Sequence, residues 1–453
     1  MALGPAPENV KLKEGTSSGS YLIPFALVTS LFFLWGLANS LNGSLIKQFQ
    51  IALDLSRFQA GIVDFAFYLG YFFMALPAGY VMRKFGYKKG ILFGLVLYSA
   101  GAFLFYPAAS ARVYGFFLFA LFMIASGIAF LETAANLYVT VLGEPQKAEW
   151  RLNFSQSFNG ISLILGPVIG ALFIFSEKEY TPEMLQALPA AQAEAIRVEE
   201  ALSVQGPYLF IGTIVALVAI LFAVMKMPEV GAEEEKSAGK IPITHLFRHR
   251  HLVFGILAQF ANVGAQATLW GYFVDFKLDF SREKHWVLAE GWMNFINAVT
   301  GTDAANLSNT QIAGFHASFA LVLFMLGRFV GTSLMTRMPA NRVLSLFSIG
   351  SVILVGLAIL TGGLTAIICL SFTYFCQSIM FPTIFALATK NLGVEAKIAS
   401  SLVIMSIVGG AVLPLVAGLL FPAGASAALL VPLVCFMVVV FFALKGYKIR
   451  PVD

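Results

Sequence analysis

Two carboxylates fall inside apolar runs, Asp64 in FQAGIVDFAFYLGYF and Glu132 in GIAFLETAANLYVT. An ionisable group in hydrocarbon costs about 2.5–3.5 kcal/mol or more, so a folded chain gives it a partner or a wet cavity. A neutral buried acid with one hydrogen bond is the structural alternative at either position. Arg328 lies inside another run and reads as a structural ion pair, while Asp275 closes a run and reads as interfacial. Uncharged polar residues keep helical register. Asn39 and Asn42 are three apart, Glu132 and Asn136 four apart, and Gln156 and Asn159 three apart. Gln259, Asn262, Gln266 and Trp270 share one face, so a single stripe carries three amides and an indole. Interhelical hydrogen bonding is the competing role for any one of these amides.

Amides, carboxylates and rings together suit a sugar. Its hydroxyls both donate and accept, as amide side chains do. Its C–H face packs on Trp or Phe in a pocket of apolar walls and a few polar groups. An anionic ligand calls for intramembrane cations, and Arg328 is the single one in the body of a run. A neutral polyol is the ligand this set predicts.

The elements that must hold these residues are long and apolar. In 453 residues, hydrophobic types make up 58% and charged types 12%, against roughly 45–50% and about 25% in soluble proteins. That excess excludes a water-soluble fold and makes the lipid bilayer the chain's solvent. Apolar runs begin at Tyr21 and recur near 58–82, 90–109, 113–142, 154–175 and 207–226, then near 252–276, 311–336, 343–361, 363–389, 399–421 and 427–445. Each matches a spanning helix in length, and none shows the alternation of a membrane barrel strand. The fold class this predicts is an all-α membrane protein. Its boundaries are a disordered tail at 1–20, a six-helix bundle at 21–226, a linker at 227–250, a second bundle at 251–445 and a tail at 446–453. Twenty of the 29 Lys and Arg fall on the side of the termini and linker. The positive-inside rule therefore puts both termini in the cytoplasm, and it accounts for the +5 charge without nucleic acid.

GYVMRKFGYKKG, from Gly79, has a counterpart in GRFVGTSLMTRMPANRV, from Gly327. Each sets small residues in a helix before a basic turn, which favours two parallel halves around a central pathway. Arg83, Lys84 and Lys88, with Arg328 and Arg337 opposite, are expected to form cytoplasmic gating contacts in an outward-facing state. Gly409, Gly410 and Pro382 should permit close packing and bending. Enzyme chemistry finds no footing. His245, His249, His251 and His285 lie in or beside loops, His316 alone is inside a run, and no phosphate loop with Lys occurs. Cys369, Cys376 and Cys435 lie in apolar runs and argue against disulfides and zinc. The chain reads as a secondary sugar transporter that acts as a monomer without an organic cofactor. A facilitator or exporter of small molecules, and a membrane enzyme or receptor, are the competing classes.

FFLWGLANSLN, LETAANLYVTVLG, RLNFSQSFN, AQFANVGAQATLWGY, FPTIFALATKNLG and SSLVIMSIVGGAV resemble the fucose–galactose–glucose:proton symporter family of the major facilitator superfamily. The resemblance implies twelve helices in two pseudo-symmetric six-helix bundles, alternating access, and hexose or deoxyhexose uptake at a bacterial inner membrane. It implies a sugar site of Asn39, Glu132, Asn136, Gln156, Asn159, Gln259, Asn262, Gln266 and Trp270. The family's first helix usually carries an Asn-Asp pair tied to proton coupling, whereas Gly43 follows Asn42 in this chain. Asp64 stands in the second helix where that family is expected to have an amide. Acids on helices two and four resemble the sodium-coupled melibiose symporter family. The first expectation is therefore a sodium ion held by Asp64, Glu132, Thr133 and Asn136, since hard cations prefer oxygen ligands. Proton symport on Glu132 and uncoupled transport are the alternatives.

Overall fold

The computed structural model describes residues 21–53, 57–173, 184–185, 187–228, 242–280 and 309–449, and leaves out the side chains at 41–51, 57–61, 63–64, 164, 166–173 and 309–311. The expected tail at 1–20, residues 450–453 of the tail expected at 446–453, and most of the linker lie outside the described residues. So do the side chains of Asn42 and Asp64.

Helix is the only regular structure among the described residues. In hydrocarbon every backbone N–H and C=O must be satisfied within its own segment, and a helix does this. The first half contains α1 (Leu22–Ala52), α2 (Arg57–Ala111), α3 (Tyr114–Val141), α4 (Ala148–Phe173), α5 (Ala190–Leu202) and α6 (Gln205–Val224). The second contains α7 (Arg250–Gly271), α8 (Phe273–Phe280), α9 (Asn309–Leu334), α10 (Ala340–Thr361), α11 (Gly363–Gln377), α12 (Met380–Ala388), α13 (Ala396–Met405), α14 (Gly409–Leu420) and α15 (Leu430–Phe441).

Among the described residues, ten stretches are long and apolar enough to cross a membrane. One of them, Phe65–Ala111, runs 47 residues and breaks at Gly86. Its φ of 84° and ψ of 169° are non-helical, and that φ is one glycine adopts without strain. Split there, it supplies two spans, and α4 adds another. The twelve spans read from hydropathy are thus accounted for. Large apolar side chains such as Leu360 (83%) and Leu419 (81%) stand open on the outside, where lipid would lie.

The polar stretch after the fifth run contains a helix that the hydropathy reading passed over. In α5 the segment AAQAEAIRVEEAL is rich in Ala and Glu, both strong helix formers, and it buries only Ala193, Glu200 and Ala201. Glu194 pairs with Arg112 at 2.5 Å on an exposed surface.

The chain forms two compact units, one gathering residues to Leu252 with Thr389–Met405, the other Val253–Ala388 with Ser406–Pro451. In the first, a Cβ at Gly127 of α3 would meet the backbone of Tyr98 and Gly94 in α2. Glycine therefore lets these two backbones touch, as small residues do between membrane helices. Gly79 of α2 similarly leaves room for Lys397 and Ser401 of α13. In the second unit Gly409 lies against the Phe260 backbone, and Gly327 against Phe375. The close packing expected at Gly409 is present.

Candidate substrate and coupling site

Glu132 sits in the buried middle of α3 with 5% of its surface exposed. The Tyr71 hydroxyl, from the first arm of α2, donates to its Oε1 at 2.8 Å. Asn39 of α1 lies within hydrogen-bonding reach of the same hydroxyl. One turn along α3, Asn136 is fully buried, and its Oδ1 accepts from Gln156 Nε2 of α4 at 3.1 Å. Asn159 follows on α4, where its side chain would collide with any Cβ at Gly36 of α1. Four helices thus bring one carboxyl, one phenol and four amides into a single patch. Asn39 Oδ1 and Asn136 Nδ2 are buried without a hydrogen-bond partner. Tyr71 is a member that sequence reading missed. Its position seven residues beyond Asp64 looked like one more aromatic in an aromatic run.

The oxygens expected to surround sodium take part in hydrogen bonds that still leave them lone pairs. Thr133 Oγ1 donates to the Ala129 carbonyl of its own helix at 2.6 Å, and Asn136 Oδ1 accepts from Gln156. The Asp64 side chain lies outside the described residues. Among the described residues, the geometry at Glu132 does not single out sodium.

In the second unit the stripe on α7 is real but unevenly buried. Gln259 and Asn262 are wholly buried, and none of their four side-chain polar atoms has a partner. Gln266 and Trp270 are half-buried. Trp270 stacks on Tyr374 of α11 with centroids 5.5 Å apart and meets Phe324 of α9 edge-on at 5.1 Å. Its indole Nε1–H donates to Gln377 Oε1 at 3.2 Å, leaving Gln377 Nε2 unpartnered. Gln377 is a further polar member that the periodicity did not reveal, because it stands alone at the end of α11.

The residues expected to gate take varied contacts. Arg328 is 3% exposed inside α9, its guanidinium 4.7 Å over the Phe324 ring. Its Nε donates to the Ser378 carbonyl at 2.9 Å. The cause is Pro382: proline has no N–H for the carbonyl four residues back, which is that of Ser378. The helix breaks between α11 and α12 at this point, and Arg328 supplies the missing donor. Lys88 caps a helix, donating to the Ala223 and Met225 carbonyls at 2.7 and 2.8 Å, at the end of α6. Lys84 is exposed with its Nζ 5.1 Å from the Phe85 ring, Arg83 is half-buried, and Arg337 is exposed. In the first unit Lys397 Nζ lies 4.4 Å over the Tyr87 ring, a contact between α13 and α2 that the sequence did not suggest.

Comparison with known proteins gives this arrangement a lineage. The Major Facilitator Superfamily model matches residues 28–406. The L-fucose-proton symporter of Escherichia coli K12 is 38% identical over 438 residues, 95% of this chain and 94% of the relative. The glucose/galactose transporter of Brucella abortus is 34% identical over 449 residues, 99% of this chain and 100% of the relative. A crystal structure of the E. coli fucose:proton symporter matches with a TM-score of 0.82 at 36% identity, covering 94% of this chain and 99% of that one. The relatives are named as transporters, not enzymes. With the major facilitator fold and close relatives over nearly its whole length, the chain belongs to the Major Facilitator Superfamily, in the family of fucose and glucose/galactose transporters.

Proposed function

We propose that the chain is a proton-coupled symporter that takes up a hexose or deoxyhexose by alternating access. The observation that carries this reading is the pair Gln259 and Asn262, buried with all four polar atoms unpartnered. A buried unsatisfied polar group costs about 1–3 kcal/mol. Two adjacent turns of α7 bear that cost, which fits groups held ready for a ligand's hydroxyls. Trp270 offers the apolar face on which a pyranose ring packs. Asn39, Asn136, Gln156 and Asn159 are the proposed partners from the first half, with 21–226 and 251–445 as the two bundles and 227–250 as a cytoplasmic linker.

Glu132 is the proposed proton carrier. Its carboxyl has an uncharged partner, Tyr71, so taking up a proton does not strand a buried cation. Protons replace sodium as the coupling ion, a choice that agrees with relatives named as proton symporters. The experiment is uptake into proteoliposomes of radiolabelled L-fucose, D-galactose and D-glucose under an imposed pH gradient. Accumulation of one of these sugars that collapses with a protonophore and is indifferent to replacing sodium by choline is the expected result. Accumulation that needs sodium, or uptake of none of the sugars, would refute the reading.

A further inference from the structure

Three of the five histidines fall within seven residues, at 245, 249 and 251, and two of them turn toward one carboxylate. His245 Nδ1 lies 2.7 Å from Glu395 Oε1, and His249 Nε2 lies 2.5 Å from Glu395 Oε2. The geometry points to a binding site for a borderline divalent metal ion, Zn2+ before others, formed by His245, His249 and Glu395 at the entry to α7. It uses neither the buried amides nor Glu132, and it does not depend on the transport reading.

The backbone fixes all three ligands. His245 and His249 are one helical turn apart, at and just beyond the short helix Ile243–Leu246. That helix is anchored by Leu246, which is 1% exposed, and by hydrogen bonds from His249 N to Leu246 O at 3.1 Å and from Leu252 N to His249 O at 3.0 Å. Glu395 closes the 3-10 turn Gly393–Glu395, where its own N–H donates to Leu392 O at 2.9 Å. Gly393 has a φ of 51°, so the turn that aims Glu395 favours glycine at that position. Both segments belong to the first compact unit.

The three ligand atoms all lie within 4.8 Å of one another. Zn2+ takes N and O ligands at about 2.0–2.2 Å in a tetrahedron, which separates ligand atoms by roughly 3.3–3.6 Å. Small side-chain rotations cover the difference. Glu395 is 11% exposed and His249 16%, while His245 at 40% leaves an open side where a water can be the fourth ligand. Two imidazoles with one carboxylate suit Zn2+, Co2+ or Ni2+ far better than the oxygen-seeking Mg2+ or Ca2+. Binding replaces the two ring-nitrogen–carboxylate hydrogen bonds and releases the protons they hold.

A supporting layer is present as well. The His251 ring packs edge-on against His249 at 5.9 Å, and its Nε2 lies 3.1 Å from the Lys390 carbonyl. Such outer partners orient metal-bound imidazoles. Nearby positive charge is partly answered: Lys390 pairs with Glu149 at 2.6 Å, and Arg248 and Arg250 are exposed to solvent screening. An ion at this site would tie the segment before α7 to the turn before α13.

The test uses full-length protein in detergent, purified without a histidine tag. Zn2+ is titrated against a chromophoric chelator, and Co2+ is followed by the visible absorption of tetrahedral coordination. Wild type should bind one ion per chain, with excess Mg2+ failing to displace it. His249→Ala and Glu395→Gln should each weaken binding at least ~10-fold, and His245→Gln should do the same at a more exposed position that is less prone to misfolding. His316→Ala, remote on α9, should bind as wild type does. Zn2+ should raise the melting temperature of wild type but not of Glu395→Gln. No stoichiometric binding by wild type, or unchanged affinity in the three ligand variants, would overturn the site and leave a plain hydrogen-bonded bridge.

Discussion

The polar patch around α3 and the polar stripe on α7 look alike in the sequence, each an apolar helix with amides one turn apart. They differ in how their polar atoms are satisfied. On α3, Glu132 has Tyr71 and Asn136 has Gln156. On α7, Gln259 and Asn262 have no partner among four atoms, although both are fully buried. A hydrogen-bonded network orients its members, whereas unpaired buried amides raise the energy of the empty state. On the proposed reading the two regions do different work: the first would hold a proton-bearing group in fixed geometry, and the second would keep recognition groups waiting for hydroxyls.

The strongest challenge to this contrast is Glu132→Gln. The amide keeps the shape and can still accept from Tyr71, but it carries no transferable proton. Concentrative uptake driven by a pH gradient should fall to background while sugar counterflow persists, as measured side by side in proteoliposomes. Loss of both would make Glu132 a substrate ligand first.

Next in size are Gln259→Met and Asn262→Leu, which fill similar space with apolar atoms. Sugar affinity, read by isothermal titration, should weaken by about 1–3 kcal/mol, roughly 5–150-fold. The sugar-free melting temperature should hold or rise, because each variant removes two unpaired buried polar atoms. A drop in both would mean that these amides hold the fold together.

Tyr71→Phe removes the hydrogen bond to the carboxyl, together with the contact of the same hydroxyl with Asn39. Proton-driven uptake should slow by about tenfold, the scale of a charge-assisted hydrogen bond of about 1.5 kcal/mol, with counterflow less affected. The smallest effect belongs to Thr133→Val. The Thr133 hydroxyl is committed to Ala129 in its own helix, so initial uptake rates should change less than about twofold, in line with the small contribution of such bonds. A severe loss would return Thr133 to the coupling site and reopen the question of a bound cation.

Much of the site was legible before any coordinates. Helical phase brought Asn39, Glu132, Asn136, Gln156 and the α7 stripe to notice, because a polar residue in hydrocarbon stands out against its neighbours whatever its tertiary partner. Tyr71 and Gln377 stayed hidden for opposite reasons. One is an amphipathic ring in a run of rings, and the other is a lone amide with no repeat to give it a phase. Arg328 was visible, but its bond to the Ser378 carbonyl was not, since that bond depends on a proline fifty-four positions away in sequence.

The sequence by itself determined the solvent, the number of spans and their approximate ends. These follow from sums and periods over neighbouring residues, and hydrocarbon enforces them segment by segment. Which polar atoms meet was decided only by tertiary structure. Thr133 and Asn136, one turn or less from Glu132, turned out to bond a helix carbonyl and a neighbouring amide. Likewise, two histidines and a glutamate about 150 positions apart met at one point. A hydrogen bond acts over about 3 Å between atoms whose separation along the chain carries no information about their separation in space.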